Sequence, residues 1–489
     1  MREYIVRNKS SFIILLLIAA VVSVPLMTDY VLVGDSTAVS LARIENIYKS
    51  VGNVFPIRIG TLDSSVYGYS ATAFQADLFY AVPVFFRLVG IGLGGSFRLT
   101  LFIFNILTVF IAFFSLRKCF GDDRLGLLAG MLYTWCPYRI TSMYTSGNLS
   151  EVFAWSFIPI IITGLWEIYG ESAEQSRLRD AGIKLIWGFS LISLSSTVFL
   201  FVMAAMSVLL FFIMWRKSFR RPVLIELVKT VIGVVCINAW FIIPMLLRMR
   251  KPEAVGVMIA GDMRGLGMYF AQYLTIFNFG GGDTQIWADG MQNAPAYGPG
   301  AAVLLLVFAE LWLIFTGGLH CENKPDSADK KGGEGFYTAV CIAGAVFIFI
   351  STCSFPWDML QNKNMLFSIM LAMMESPARW GIAADVCMII IACRAMRVLK
   401  EKYGDRVQMW LMVAAASAAF GCTQFLLGNI MTSRGFVWDE DIEAFGNIEL
   451  PVINSESVLW RLCEIVSLFS ICVCVVIWLM GRRKSAEKI

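Results

Sequence analysis

Two acidic residues stand where they could do chemistry. Asp35 follows directly on the apolar run 12–33, at the point where a membrane-embedded segment would meet water. A carboxylate there can act as a general base or bind a metal. It can equally serve as an N-cap. Val39, Leu41, Ile44, Ile47 and Tyr48 form a helical apolar stripe, which predicts a helix from Ser36 or Thr37 capped by Asp35 or Ser36. Glu151 opens a second apolar run at 151–169. Its plainer role is to favour the positive end of the helix dipole. Its chemical role is that of a second acid facing Asp35 across one cavity, since acids at the mouths of membrane helices are costly and often functional.

The basic and aromatic candidates follow the same logic. Arg58 in FPIRIG either snorkels to lipid headgroups or contacts a lipid phosphate. Tyr67, Tyr69 and Phe74 fit an interfacial belt or a sugar-stacking wall. Arg379 stands at the start of the run 379–394, as an interface anchor or as a bidentate clamp on a phosphate. His320 is the single histidine, which excludes a His-based metal site and a Ser-His-Asp triad. Most of the 12 cysteines, such as Cys387, Cys393, Cys472 and Cys474, lie in apolar runs, and no disulfides are expected.

The elements that must position these residues are membrane helices. Of the 489 residues, 58% are hydrophobic and 16% charged, against about a quarter charged in a typical soluble domain. Soluble enzymes, disordered tails and nucleic-acid modules are excluded, and a net charge of +4 is too small to point to an anionic polymer. A span needs about 20 mostly apolar residues. Candidate runs lie at 12–33, 98–116, 124–142, 151–169, 183–198, 199–214, 223–246, 300–316, 336–352, 379–394, 407–428 and 458–480, twelve in all. The first reads as a retained signal anchor, because no small-residue cleavage pattern follows it.

Charge orients them. The N-terminus, RKCFGDDR (117–124), Arg177 to Lys184, RKSFRR (216–221), Lys324 with Lys330 and Lys331, Arg394 to Arg406, and the tail RRKSAEK carry most of the 40 Lys and Arg residues. With twelve spans and an inside N-terminus all seven face the cytoplasm, as the positive-inside rule asks. The segment 77–95 would break that alternation if it crossed, so it is expected to lie in or dip into the outer leaflet. The outer face then receives loops at about 34–97, 247–299 and 429–457, and a shorter one near 353–378. Arg248, Arg250, Lys251 and Arg264 run against the positive-inside trend. Basic residues on the wrong side ask for an anionic ligand, a lipid phosphate above all. GGGDTQIW in the same loop is too loose for a phosphate-binding motif, and the Asn148-Leu149-Ser150 sequon is short enough to arise by chance.

The order of these features resembles the GT-C superfamily of polyprenyl-phosphate-sugar-dependent glycosyltransferases. Within it, the chain looks most like the bacterial multi-pass membrane proteins labelled 6-pyruvoyl-tetrahydropterin-synthase-related. The strings that carry the likeness are LARIENI (41–47), FPIRI (55–59), YGY (67–69), the segment from Tyr138 and Arg139 to Glu151, and FPWD (355–358) with Pro377 and Arg379. The likeness runs from about 12 to 395. Where that family has Gly-His-Asp before the amphipathic helix, this chain has Gly34-Asp35-Ser36, with Ser40 in place of a second histidine. The family's Gln-Phe-Pro-Trp-Arg is here Glu375-Ser376-Pro377-Ala378-Arg379, and a histidine near the sixth span is replaced around Ser196.

The resemblance implies an all-α polytopic membrane protein of about twelve transmembrane helices, with extracytoplasmic juxtamembrane helices. Residues 1–246 would form a GT-C-like catalytic module, 247–299 an outer loop and 300–489 a C-terminal transmembrane module. It implies inverting sugar transfer at the outer face of the bacterial cytoplasmic membrane, both termini being cytoplasmic. The donor would be a polyprenyl-phosphate-linked sugar with its tail between helices, and the acceptor a cell-envelope glycan, lipid or protein. Asp35 would deprotonate the acceptor or, with Glu151, hold a divalent cation (Mg or Mn). Arg379, with Arg58, Arg248, Arg250 and Tyr69 as further contacts, would bind the donor and its phosphate. Two other classes compete: a non-catalytic relative that binds or scaffolds a lipid-linked glycan, and a transporter of such a lipid. A transporter would place ionisable groups at mid-membrane and show inverted repeats, whereas these acids sit at span ends and no repeat is visible.

Overall fold

The computed structural model describes residues 9–51, 76, 78–170, 175–249, 263–275, 297–316, 328–361, 371, 374, 376–445 and 458–486. They form a helical bundle carrying one two-stranded ribbon. In chain order the main helices are α1 (Lys9–Val22), α2 (Thr37–Ser50), α3 (Ala81–Leu88), α4 (Leu93–Phe120), α5 (Asp123–Thr134), α6 (Leu149–Tyr169), α7 (Gln175–Ser193) and α8 (Thr197–Ile213). There follow α9 (Arg221–Ile237), α10 (Ala239–Met249), α11 (Ala301–Phe315), α12 (Ala328–Ser351), α13 (Gly381–Tyr403), α14 (Asp405–Ser433) and α15 (Val458–Ala486).

Four helices among the described residues are long and apolar enough to cross a membrane: Leu93–Phe120, Leu149–Tyr169, Gly333–Ser351 and Asp405–Ser433. The pair α9 and α10, bent by 77°, qualifies as one broken span, and four further apolar helices are shorter. Two sets of contacts mark the bend. Asn238 turns its amide back onto the Val234 carbonyl (2.7 Å), and Ser467 of α15 donates to Cys236 O and accepts from the Trp240 N–H. The run 124–142 is not one helix either. Pro137 cannot supply the N–H that would extend α5, so the helix stops at Thr134 and the chain continues as a single turn (Pro137–Ile140) and a π-turn (Thr141–Thr145). The segment 77–95 is broken too: a short helical stretch, Leu78–Leu88, ends at Gly90 (φ 96°), and α4 begins at Leu93.

Two helices are wrapped nearly all round. Every residue from Gly381 to Met396 of α13 is buried, as is most of α6. A helix apolar on all sides belongs inside a bundle, and α13 packs against α5, α11, α12 and α14. The two helices start at the same end of the molecule, where Arg379 reaches Glu151. The basic connectors gather at the opposite end. There Lys400 meets Asp122 (2.6 Å) and Lys217 donates to the Tyr169 carbonyl. Within the bundle Arg394 pairs with Glu310 (2.5 Å) and with Glu334.

The ribbon joins distant parts of the chain. β1 (Tyr30–Leu32) pairs antiparallel with β2 (Phe436–Trp438), Tyr30 opposite Trp438 and Leu32 opposite Phe436. Its far end is held by Arg98, which grips Asp439 with two charge-assisted bonds of 2.7 and 2.6 Å.

Candidate active site

Asp35 is placed by backbone. The loop after the π-turn lies against the segment that starts α2: Asp35 N–H donates to Thr145 O (3.2 Å), Ser36 N–H to Ser146 O (2.7 Å) and the Ser40 hydroxyl to Gly147 O (2.9 Å). So close an approach requires glycine. A Cβ at Gly34 would lie 2.6 Å from Thr145 O, and one at Gly147 (φ 64°) would lie 1.9 Å from the Thr37 hydroxyl. Neither Asp35 nor Ser36 makes the expected cap. Ser36 holds the N-cap position without a side-chain bond, and the Thr37 hydroxyl instead accepts the Gly34 N–H. The Asp35 carboxylate, 55% exposed, instead accepts from Arg434 Nη1 at 3.0 Å.

Glu151 lies in the first turn of α6, behind an Asn148 cap that accepts the Ser150 N–H. Its side chain is 6% exposed and receives Arg379 Nη2 at 3.1 Å and Asn148 Nδ2 at 3.4 Å. Arg379 sits on the 3₁₀ turn Pro377–Trp380. That turn is fixed on both sides: Ser376 donates to Leu266 O, and Trp380 stacks on Phe347 and Trp357.

Tyr297 stands near both ion pairs. Burial pushes its phenol up to about 12, and it lies within the field of Arg379, Glu151, Asp35 and Arg434 together. Its ring packs on Tyr138 at 4.8 Å between centroids. Four segments remote in sequence therefore supply two carboxylates and two guanidiniums around one tyrosine. Near it lies a small groove lined by Trp135, Pro137, Pro299, Ala301 and Cys422 among others.

Of the residues singled out in the sequence, Asp35, Glu151 and Arg379 come together. Arg58, Tyr69 and Arg250 lie outside the described residues, as do Tyr67, Phe74 and Lys251, and Arg248 is described only as backbone in the last turn of α10. Arg264 reaches elsewhere, to Cys353 O and Asp358. Arg434 and Tyr297 were not singled out. Arg434 carried a usable signal, being another basic residue in an expected outer loop. Tyr297 carried none. The metal expectation finds a poor donor set: among the described residues no three His, Cys, Asp or Glu side chains cluster, and both carboxylates are engaged by guanidiniums.

The bundle is similar to solved structures of membrane glycosyltransferases. The archaeal oligosaccharyltransferase AglB from Archaeoglobus fulgidus, in complex with an inhibitory peptide and a dolichol-phosphate, matches over 92% of this chain and 61% of its own, at 13% identity and a TM-score of 0.50. The chain shares the fold of that structure. ArnT from Cupriavidus metallidurans, bound to undecaprenyl phosphate, matches over 87% of this chain and 77% of its own, at 11% identity and a TM-score of 0.45. The arabinofuranosyltransferase AftD from Mycobacteria matches over 89% of this chain and 27% of its own, at 12% identity and a TM-score of 0.46. The chain thus spans about three fifths of AglB and about a quarter of AftD. No family model and no curated protein sequence matches it.

Proposed function

We propose that this chain is a GT-C, polyprenyl-phosphate-sugar-dependent glycosyltransferase, acting at the outer face of a bacterial cytoplasmic membrane with twelve spans and both termini inside. The observation that carries the reading is the cluster itself: Asp35 open to solvent, with Glu151 and Arg379 deeper. An exposed carboxylate suits a base that must reach an acceptor hydroxyl, and a half-dry guanidinium suits a leaving phosphate. Asp35 takes the proton of the acceptor hydroxyl as its oxygen attacks the anomeric carbon from the face opposite the phosphate. The carbon–oxygen bond to the lipid phosphate breaks, and the electron pair leaves with the phosphate toward Arg379. Glu151 holds Arg379 in position, and the polyprenyl tail lies along the groove between α11 and α14. Residues 1–246 and 300–489 act as two modules that each contribute half of the cluster.

The test is release of sugar from a panel of polyprenyl-phosphate sugars by the wild type and by Asp35→Asn. Loss of release in the variant supports the reading, and equal turnover by both removes Asp35 from the mechanism. One observation favours a second reading, that of a relative that binds a lipid-linked glycan without turnover: Asp35 is paired with Arg434 rather than with a histidine. Retention of undecaprenyl phosphate with no release from any donor is the result that would establish it.

A further inference from the structure

Arg434 is positioned by backbone on both sides. Its own N–H closes α14 onto Ile430 O, and the next residue, Gly435, accepts the Val33 N–H at 2.8 Å to begin the ribbon. The ribbon register then runs through Leu32–Phe436 to Tyr30–Trp438, and Asp439 bonds back to Asp29 O and to Arg98. Ile442, just beyond, is buried in the core. Both ends of the strap are therefore fastened to the segment that carries Asp35. The guanidinium, 11% exposed, lies 3.0 Å from Asp35 Oδ1.

A divalent ion of the magnesium type needs near-octahedral oxygen coordination and keeps its waters reluctantly. Here Asp35 already accepts from one guanidinium and Glu151 from another, and no third acid, cysteine or histidine joins them among the described residues. A dication beside Asp35 would also stand next to the positive charge of Arg434, whose backbone the start of the ribbon holds in place. The charge a metal would supply is already present, carried by a planar guanidinium.

We infer that Arg434 is a positioning residue that takes the place of a divalent cation at Asp35, orienting that carboxylate toward the acceptor so that transfer proceeds without metal. The inference rests on the glycosyltransferase reading for its consequence, but its physical claim, that no divalent ion binds Asp35, stands apart from it. The experiment has two arms on full-length protein in detergent, with folding of each variant checked by gel filtration. In the first, Mn²⁺ is titrated against the wild type, Arg434→Lys and Asp35→Asn and followed by electron paramagnetic resonance. Identical titrations are expected, and Mn²⁺ bound by the wild type and lost in Asp35→Asn would overturn the inference whether or not any donor is ever turned over. In the second, sugar release is measured with and without EDTA. Release is expected to survive EDTA, to persist in Arg434→Lys, and to fall by about 10- to 100-fold in Arg434→Gln, the usual effect of removing a partner that orients a reactive ligand. Release that EDTA abolishes would leave the transferase reading standing and sink this one.

Discussion

The contact between Arg379 and Glu151 can be tested without knowing any substrate. At 3.1 Å, two unit charges attract by about 5 kcal/mol at an effective dielectric of about 20. Side-chain exposures of 16% and 6% leave some screening, and desolvation offsets part of the gain. A coupling of about 2 kcal/mol is therefore expected, below the 3–5 kcal/mol typical of breaking a wholly buried pair. Arg379→Met leaves the Glu151 charge buried without its guanidinium and should cost about 3 kcal/mol. Glu151→Gln keeps the shape and the amide bonding and should cost about 1–2 kcal/mol. The double variant should be no worse than Arg379→Met alone. The assay is unfolding by SDS in mixed micelles, followed by tryptophan fluorescence and treated as a double-mutant cycle. The more exposed pair Asp35–Arg434 serves as the internal comparison, with a coupling below about 1 kcal/mol. If the costs of Arg379→Met and Glu151→Gln simply add, within about 0.5 kcal/mol, the two side chains do not meet and the proposed site falls apart.

Four further outcomes are expected. Gly34→Ala should lower stability by about 1–3 kcal/mol and abolish sugar release, because its Cβ would press on the Thr145 carbonyl. Gly428→Ala, where a Cβ meets nothing within 4 Å, should instead stabilise the helix by about 0.5–1 kcal/mol in the same unfolding assay. Asp122 caps α5 and meets Lys400. Its burial raises its pKa, but the Lys400 ammonium and the Arg124 N–H outweigh this and hold it below the ordinary 3.8. A depressed carboxylate contributes stability above its unfolded value and loses it as pH falls through the folded one. Asp122→Asn keeps the cap but loses the charge that meets Lys400, so it should cost about 0.5–1 kcal/mol at neutral pH, and the gap to the wild type should close in acid, below the ordinary carboxylate range. Arg394→Met, which strands Glu310 inside the bundle, should cost about 3–5 kcal/mol and leave binding of undecaprenyl phosphate unaltered in folded protein.

Much of this molecule could be read along the chain because the relevant physics is local. Apolar runs bounded by charge predict helices, and each run contains one, but several ends lie well away from those expected, and the run 12–33 is helical only to Val22, its last residues forming β1. One break has a short-range cause visible in retrospect, Pro137 ending α5, whereas the bend in the 223–246 run also involves Ser467 of α15. Asp35, Glu151 and Arg379 could be singled out one at a time, because a charge at the end of an apolar run is costly wherever it occurs. The cap expected from Asp35 failed for a non-local reason. The loop at 145–147 takes the backbone groups around it, and Arg434, almost 400 residues later in the chain, takes its carboxylate.

Composition and periodicity by themselves determined that this chain is a helical membrane protein with acids and arginines at helix ends, since burial of apolar surface depends only on residue type and spacing. They did not decide which acid meets which base. That pairing came from a two-stranded ribbon between residues 30–32 and 436–438, two enclosed helices that begin side by side, and a glycine contact tight enough to forbid a methyl group. Such contacts are sums over distant segments, and ion-pair energies change severalfold with burial and partner. Charge placement was therefore legible in the chain, and charge pairing only in the folded protein.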